Sequence, residues 1–367
     1  MGAYSGWSGW SGWSGWSGWS GWSGWSGWSG AGFGSAGDPG LVARAHMKSR
    51  GATVTPAMEL GHAWHPQSFA PINGATLRKP YPAVGASSLM QWSPPVRAAT
   101  LTQTLLSALQ VVPNGDARII GHLAGPESML VPLVEIKRPT KEVFAQQTSL
   151  VLADVRVRDD VAEEIVAQAG LPWSFWAAPL GLQPEQYPYT FELLGCALQM
   201  ASAMYYRLKH EFGCPRPAAY SPLVLPIIAT PGHSSFPSGH ATESYLVARI
   251  LQELIGQDAT SMAATYLNTV AGRIARNREI AGVHFPVDSQ AGRLLGATLA
   301  DYFVARARAG STDWQGRSYE PPPLAIAPLP TPPFKPDAQL SDVHGGNGVV
   351  GNEDLLGQLW TLAQAEW

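Results

Sequence analysis

The sequence is poor in cysteine, in net charge and in unbroken apolar runs. Only two cysteines, Cys196 and Cys214, occur in 367 residues. Cys196 falls inside the periodic segment TFELLGCALQMASAMYYRLKHEF and Cys214 just beyond it. Read as one helix, that segment separates their Cα atoms by about 25 Å, so no disulfide joins them and both are predicted to be free thiols. The longest apolar runs are interrupted by charge or proline, which argues against a membrane span. A formal net charge of −3 offers no broad basic surface for nucleic acid or anionic lipid. The N-terminus lacks the basic and apolar regions of a secretory signal. This points to the cytoplasm and leaves extracellular assembly open. Alternating strand patterns are also scarce, which predicts an all-α fold.

The sequence does contain an uninterrupted Ser-Gly-Trp repeat over residues 5–30, with tryptophan at every third position. Glycine at that frequency opposes an α-helix, whereas a period of three suits a polyproline-II-like rod with its indoles along one edge. Eight exposed indoles are more apolar surface than a monomer ordinarily leaves in water. Residues 1–36 are therefore read as a low-complexity segment that either builds a homo-oligomer or filament or is a flexible or engineered tail. Residues 37–97, rich in Gly, Pro, Ala and Ser, read as an irregular wrap.

From residue 98 the period becomes helical. The segments AATLTQTLLSALQ, PTKEVFAQQTSLVLADV and DDVAEEIVAQAG are predicted helices, followed by others at about 188–212, 238–256, 259–279 and 287–309. A Pro/Gly-broken stretch separates the first two. The helical domain is assigned to 98–318, and residues 319–367 to a Pro-rich linker ending in a short amphipathic helix that docks on the same chain or a neighbour.

Three clusters carry the chemistry: YRLKHEFGCPRP at 206–217, TPGHSSFPSGHAT at 230–242 and RNREIAGVHFPVD at 276–288. Arg216 and Arg278 supply planar forks and Lys209 a compact charge, which together suit an oxyanion. Ser238 and Gly239 sit where the next helix starts, so free N–H groups point at the anion, and Gly239 lets the backbone approach closely. His240 follows as an acid or base. His284 and Asp288 lie four apart, so the carboxylate can accept one ring N–H and leave the other nitrogen free. A lone Lys, Arg or His is commonly a solvated or structural group. Three distant clusters with this spacing have no packing purpose.

These clusters resemble the K-x6-R-P, P-S-G-H and S-R-x5-H-x3-D motifs of the vanadium-dependent haloperoxidase and type 2 phosphatidic acid phosphatase superfamily. The resemblance covers roughly residues 190–300 and is closest to bacterial haloperoxidase-like members. Asn277 replaces the usual serine of the third motif. The family implies a helical-bundle domain and two chemistries for one cradle. As a haloperoxidase, the chain would hold vanadate oxygens with Lys209, Arg216, Ser238, Gly239 and Arg278, and bond the metal through His284. His240 would exchange protons as hydrogen peroxide oxidises halide, bromide favoured, to hypohalous acid. As a soluble phosphatase, His284 would attack phosphorus, His240 would protonate the leaving group and Asp288 would orient His284. His233 matches a position where bromoperoxidases of the superfamily carry histidine, and with Tyr206 it is assigned to tuning halide or substrate choice. A third reading makes the domain a decoration on a filament or layer built by the repeat.

Overall fold

The structure, a computed structural model, describes residues 91–124, 129–256, 261–308, 316–321 and 354–367. The Ser-Gly-Trp repeat and filament segment, most of the predicted wrap and the Pro-rich linker lie outside the described residues.

The fold is mostly helical, as the periodicity predicts, with a small sheet. In chain order the helices are α1 Pro94–Ser107, α2 Lys141–Ala153, α3 Arg158–Ala167, α4 Trp173–Ala177, α5 Pro188–Phe212, α6 Gly239–Leu254, α7 Met262–Ile280, α8 Pro286–Ala307 and α9 Asp354–Gln364. Start signals are visible in the sequence. Proline stands in the first turn of α1, α5 and α8, and Ser238 and Ser261 cap α6 and α7 with their hydroxyls.

Helix α8 is buried around most of its circumference, including Val287, Leu295, Leu299 and Phe303, and so forms the centre of the domain. It packs most extensively against α6. Two glycines make this approach possible. A Cβ on Gly292 would lie 2.5 Å from the Ser238 carbonyl oxygen, and one on Gly296 would lie 2.2 Å from that of Thr242. The GRLLG spacing therefore seats the N-terminus of α6 directly on the α8 backbone. Helix α9 packs on α5 and α8. Just beyond it the Glu366 carboxylate accepts the Tyr189 and Thr190 N–H groups at 2.6 and 2.8 Å, capping α5.

The sheet departs from the all-α expectation. Residues 109 and 110, read from sequence as the end of the first helix, and 111–137, read as a broken stretch, form the antiparallel strands β1 Leu109–Asn114, β2 Ala117–Ala124 and β3 Met129–Lys137, and β4 Arg317–Tyr319 joins β3 in parallel. Gly115, at φ 58°, opens the two-residue loop at the position where type II′ hairpins take glycine. Two prolines within the strands, Pro113 and Pro132, disguise the pattern. Pro132 pairs with Gly121 where the register shifts, a bulge that tolerates a residue without an N–H. Cys196 and Cys214 are both free and buried. Among the described residues no helix is long and apolar enough to cross a membrane.

Candidate active site

The three clusters converge where the ends of α5, α7 and the starts of α6 and α8 meet. Lys209, in the last turn of α5, is 2% exposed and donates from Nζ to the Ser234 and Ser235 carbonyls at 2.9 and 2.8 Å. Burial and the neighbouring Arg216 charge push this ammonium well below its ordinary pKa, while Asp288 and Glu243 oppose the shift. Arg216 clamps two loops together. Its Nε donates to the His233 carbonyl at 3.0 Å and its Nη1 to that of Val283 at 2.6 Å. Burial lowers it to about 10.

Arg278, in the last turn of α7, is 1% exposed. Its Nη2 donates to the Ile165 carbonyl at 2.8 Å and reaches Gln168 Oε1 at 3.5 Å. Its Nε and Nη1 are buried and have no partner among the described residues. A buried guanidinium N–H without an acceptor is costly, so these two donors are available to an anion. Burial lowers this group to about 10 as well.

Ser238 caps α6, its hydroxyl accepting the Ala241 N–H at 3.4 Å. The Gly239 and His240 N–H groups, the first two of the helix, have no hydrogen-bond partner among the described residues. A Cβ on Gly239 would stand 3.2 Å from the Tyr205 ring, so the turn lies flush against α5. His240 Nε2 lies 2.9 Å from the Gln168 carbonyl. A carbonyl only accepts, so Nε2 carries the proton and Nδ1 the lone pair. Burial, with the charge of Arg278 second, lowers His240 to about 3 and keeps it neutral.

His284 and Asp288 meet across one turn, Nδ1 to Oδ2 at 3.0 Å. Asp288 Oδ2 also accepts from the Phe285 N–H at 2.9 Å and from the Ser235 hydroxyl. Burial raises this carboxyl to about 6 against those hydrogen bonds, and holds His284 well below the ordinary imidazole range. His284 is thus a neutral ring whose Nδ1–H is fixed by Asp288. Its Nε2 lone pair faces Arg216 Nη1 at 3.4 Å.

Tyr206 and His233 stand at the mouth, edge to face with centroids 5.3 Å apart, and His233 Nδ1 lies 3.3 Å from Arg216 Nη2. Burial and the charges of Lys209 and Arg216 lower His233 to about 4. Both residues line an open cleft of about 690 Å³ that reaches Lys209 and Arg216.

The structure therefore brings all ten sequence-selected residues to one place. It also adds groups that no motif marked. Gln168, fully buried at the end of α3, accepts from Asn277 Nδ2 at 2.9 Å as well as from Arg278. Asn277, where the motif has serine, is thus tied to Gln168. Ser235 and the pair Tyr205–Glu243 complete the surroundings. A lone Gln at a helix end and a Glu one turn into a helix carry no spacing signal, so only the fold finds them.

Three cations, two free helix N–H groups and one imidazole lone pair fit a tetrahedral oxyanion such as phosphate or vanadate. Among the described residues no three His, Cys, Asp or Glu side chains gather to hold a cation. Residues 192–309 match the family model of the PAP2 superfamily. Over that span the chain is PAP2-like. The PAP2-like span holds Lys209, Arg216, the 238–240 turn, Arg278, His284 and Asp288, whereas Ile165 and Gln168 come from α3 ahead of it. Among solved structures, "the first bacterial vanadium dependant iodoperoxidase" aligns at 18% identity with a TM-score of 0.33, over 42% of this chain and 47% of that one. The chain therefore spans about half the length of that structure. No curated protein matches the sequence.

Proposed function

We propose that the chain is a vanadate-dependent haloperoxidase that oxidises halide, bromide favoured, with hydrogen peroxide. Hydrogen peroxide, halide and one proton become hypohalous acid and water. The observation that carries the oxyanion part of this reading is Arg278, fully buried with Nε and Nη1 unpartnered among the described residues. Lys209, Arg216, Ser238, the Gly239 N–H and Arg278 would hold the vanadate oxygens, and His284 Nε2 would bond the metal. Bound vanadate supplies Lewis-acid activation of the peroxide toward halide.

The chain's own residues do the rest. Asp288 fixes the Nδ1–H tautomer of His284 and so keeps Nε2 unprotonated. His240, whose Nε2–H goes to the Gln168 carbonyl, would use Nδ1 to take a proton from hydrogen peroxide. Tyr206 and His233 would meet halide or an organic acceptor at the cleft mouth.

A second reading, a phosphatase forming a phosphohistidine at His284, is favoured by the same unprotonated Nε2 and by the PAP2 match. One assay separates the two. The protein is incubated with orthovanadate and tested for bromide-dependent oxidation of a phenol dye beside hydrolysis of p-nitrophenyl phosphate. Oxidation that needs vanadate and is inhibited by phosphate supports the peroxidase. Ester turnover without vanadate-dependent oxidation reverses the assignment.

A further inference from the structure

Glu243 lies one helical turn into α6 beyond Gly239 and is 6% exposed. Facing it on α5 are Tyr205 and Lys209, themselves one turn apart. The Tyr205 hydroxyl donates to Glu243 Oε1 at 2.8 Å, and the same ring covers Gly239. None of the motif chemistry uses this carboxyl. Among the described residues it has no ion pair, and Lys209 Nζ donates to the Ser234 and Ser235 carbonyls.

The reason for a second buried acid follows from charge. The charged or titratable groups that the surrounding helices bring to this cluster are Tyr205, Tyr206 and Lys209 on α5, His240 on α6 itself, Arg278 on α7 and Asp288 on α8, with Arg216 in the preceding loop; Glu164 on α3, which acts on Arg278, is paired with Arg273. From α4 comes only the Trp176 indole, which donates to Ser244. The histidines are neutral. With Lys209 protonated and Glu164 balanced by Arg273, three cations face two carboxylates in the free cradle, an excess of one positive charge. A dianionic oxyanion turns that excess into a deficit of one, and a buried deficit is expensive in a low-dielectric site. One added proton restores neutrality. Asp288 is the less favoured of the two, since three donors to its Oδ2, from His284, Phe285 and Ser235, stabilise the ionised form, although its Oδ1 has no partner among the described residues. Glu243 is opposed by a single neutral donor.

We propose that Glu243 is a proton-linked counter-ion of the oxyanion cradle, ionised when the cradle is free and protonated when a dianion occupies it. The proposal rests on the oxyanion reading above. Burial, which raises Glu243 to about 7 against Tyr205 and Lys209, agrees with this role. In the bound state the carboxylate takes one proton from solvent and becomes a neutral acid, and no other bond changes.

The test is calorimetric titration of inorganic phosphate into the full chain at pH 6 to 8, in buffers of different ionisation heat. Wild type is expected to take up protons beyond the anion's own. Glu243→Gln is expected to lose that uptake and, corrected for phosphate ionisation, to bind about tenfold more tightly than wild type at pH 8 with near-equal affinity at pH 6. Tyr205→Phe keeps the ring over Gly239 and removes a bond that favours the ionised carboxylate, so the affinity loss should move to higher pH. Unchanged uptake in Glu243→Gln would assign the proton to Lys209 or Asp288 and overturn the proposal. Absence of phosphate binding to wild type would instead overturn the oxyanion reading beneath it.

Discussion

The Asn277 side-chain amide donates to Gln168 Oε1 at 2.9 Å, the same oxygen that Arg278 Nη2 approaches at 3.5 Å. Gln168 also donates to Glu164, which accepts in turn from Arg273. The fork of Arg278 is thereby aligned by a chain of side chains running to the surface. Gln168→Leu is expected to lower oxyanion affinity or activity about 10- to 100-fold. It should also cost about 1–3 kcal/mol of stability, because Asn277 loses its buried acceptor. Phosphate titration and a thermal melt check both effects.

Asp288 acts through His284. Asp288→Asn keeps the shape of the site and removes the charge that fixes the Nδ1–H tautomer. Turnover should fall about 10- to 100-fold with anion binding less affected. His284→Ala, which removes the metal ligand or the nucleophile, should abolish either chemistry. Steady-state kinetics beside equilibrium binding separates the two variants, and near-normal turnover in His284→Ala would show the site to be misassigned.

The buried donors of Arg278 imply a conflict between stability and binding. Arg278→Met replaces an unpaired buried charge by a chain of similar volume. In the absence of anion it should therefore be more stable than wild type by about 1–3 kcal/mol. It should also lose the rise in melting temperature that phosphate or vanadate confers on wild type. A melt with and without anion reads both.

The contact of α6 with α8 makes a structural prediction. Gly296→Ala would place Cβ 2.2 Å from the Thr242 carbonyl oxygen, which is backbone and cannot rotate away. The helices must separate, at about 1–3 kcal/mol or more, and the Ser238–Gly239 turn moves with α6. Denaturant unfolding should show the loss of stability, and activity should fall although no site side chain has changed.

Eight of the ten selected positions follow from motif spacing, such as Lys209 seven residues before Arg216, or His284 one turn before Asp288, whereas His233 and Tyr206 come only from the family resemblance. The helices were legible from periodicity, with α5 found at the residues expected. The sheet was not, since Pro113 and Pro132 interrupt its strands and the Asn114–Gly115 turn signal stood inside what looked like a broken loop. Gln168, Ser235, Tyr205 and Glu243 were also invisible. They act through contacts 38 to 110 residues apart in the chain, which no local pattern reports.

A single tetrahedral oxyanion is expected to occupy the cradle of Lys209, Arg216 and Arg278 against His284. Calorimetric titration of orthovanadate into wild type and Arg278→Met, repeated in the presence of phosphate, tests it most directly. Wild type should show one site with competition by phosphate, and Arg278→Met should lose most of the affinity. No binding to wild type, or binding undiminished in Arg278→Met, would contradict it.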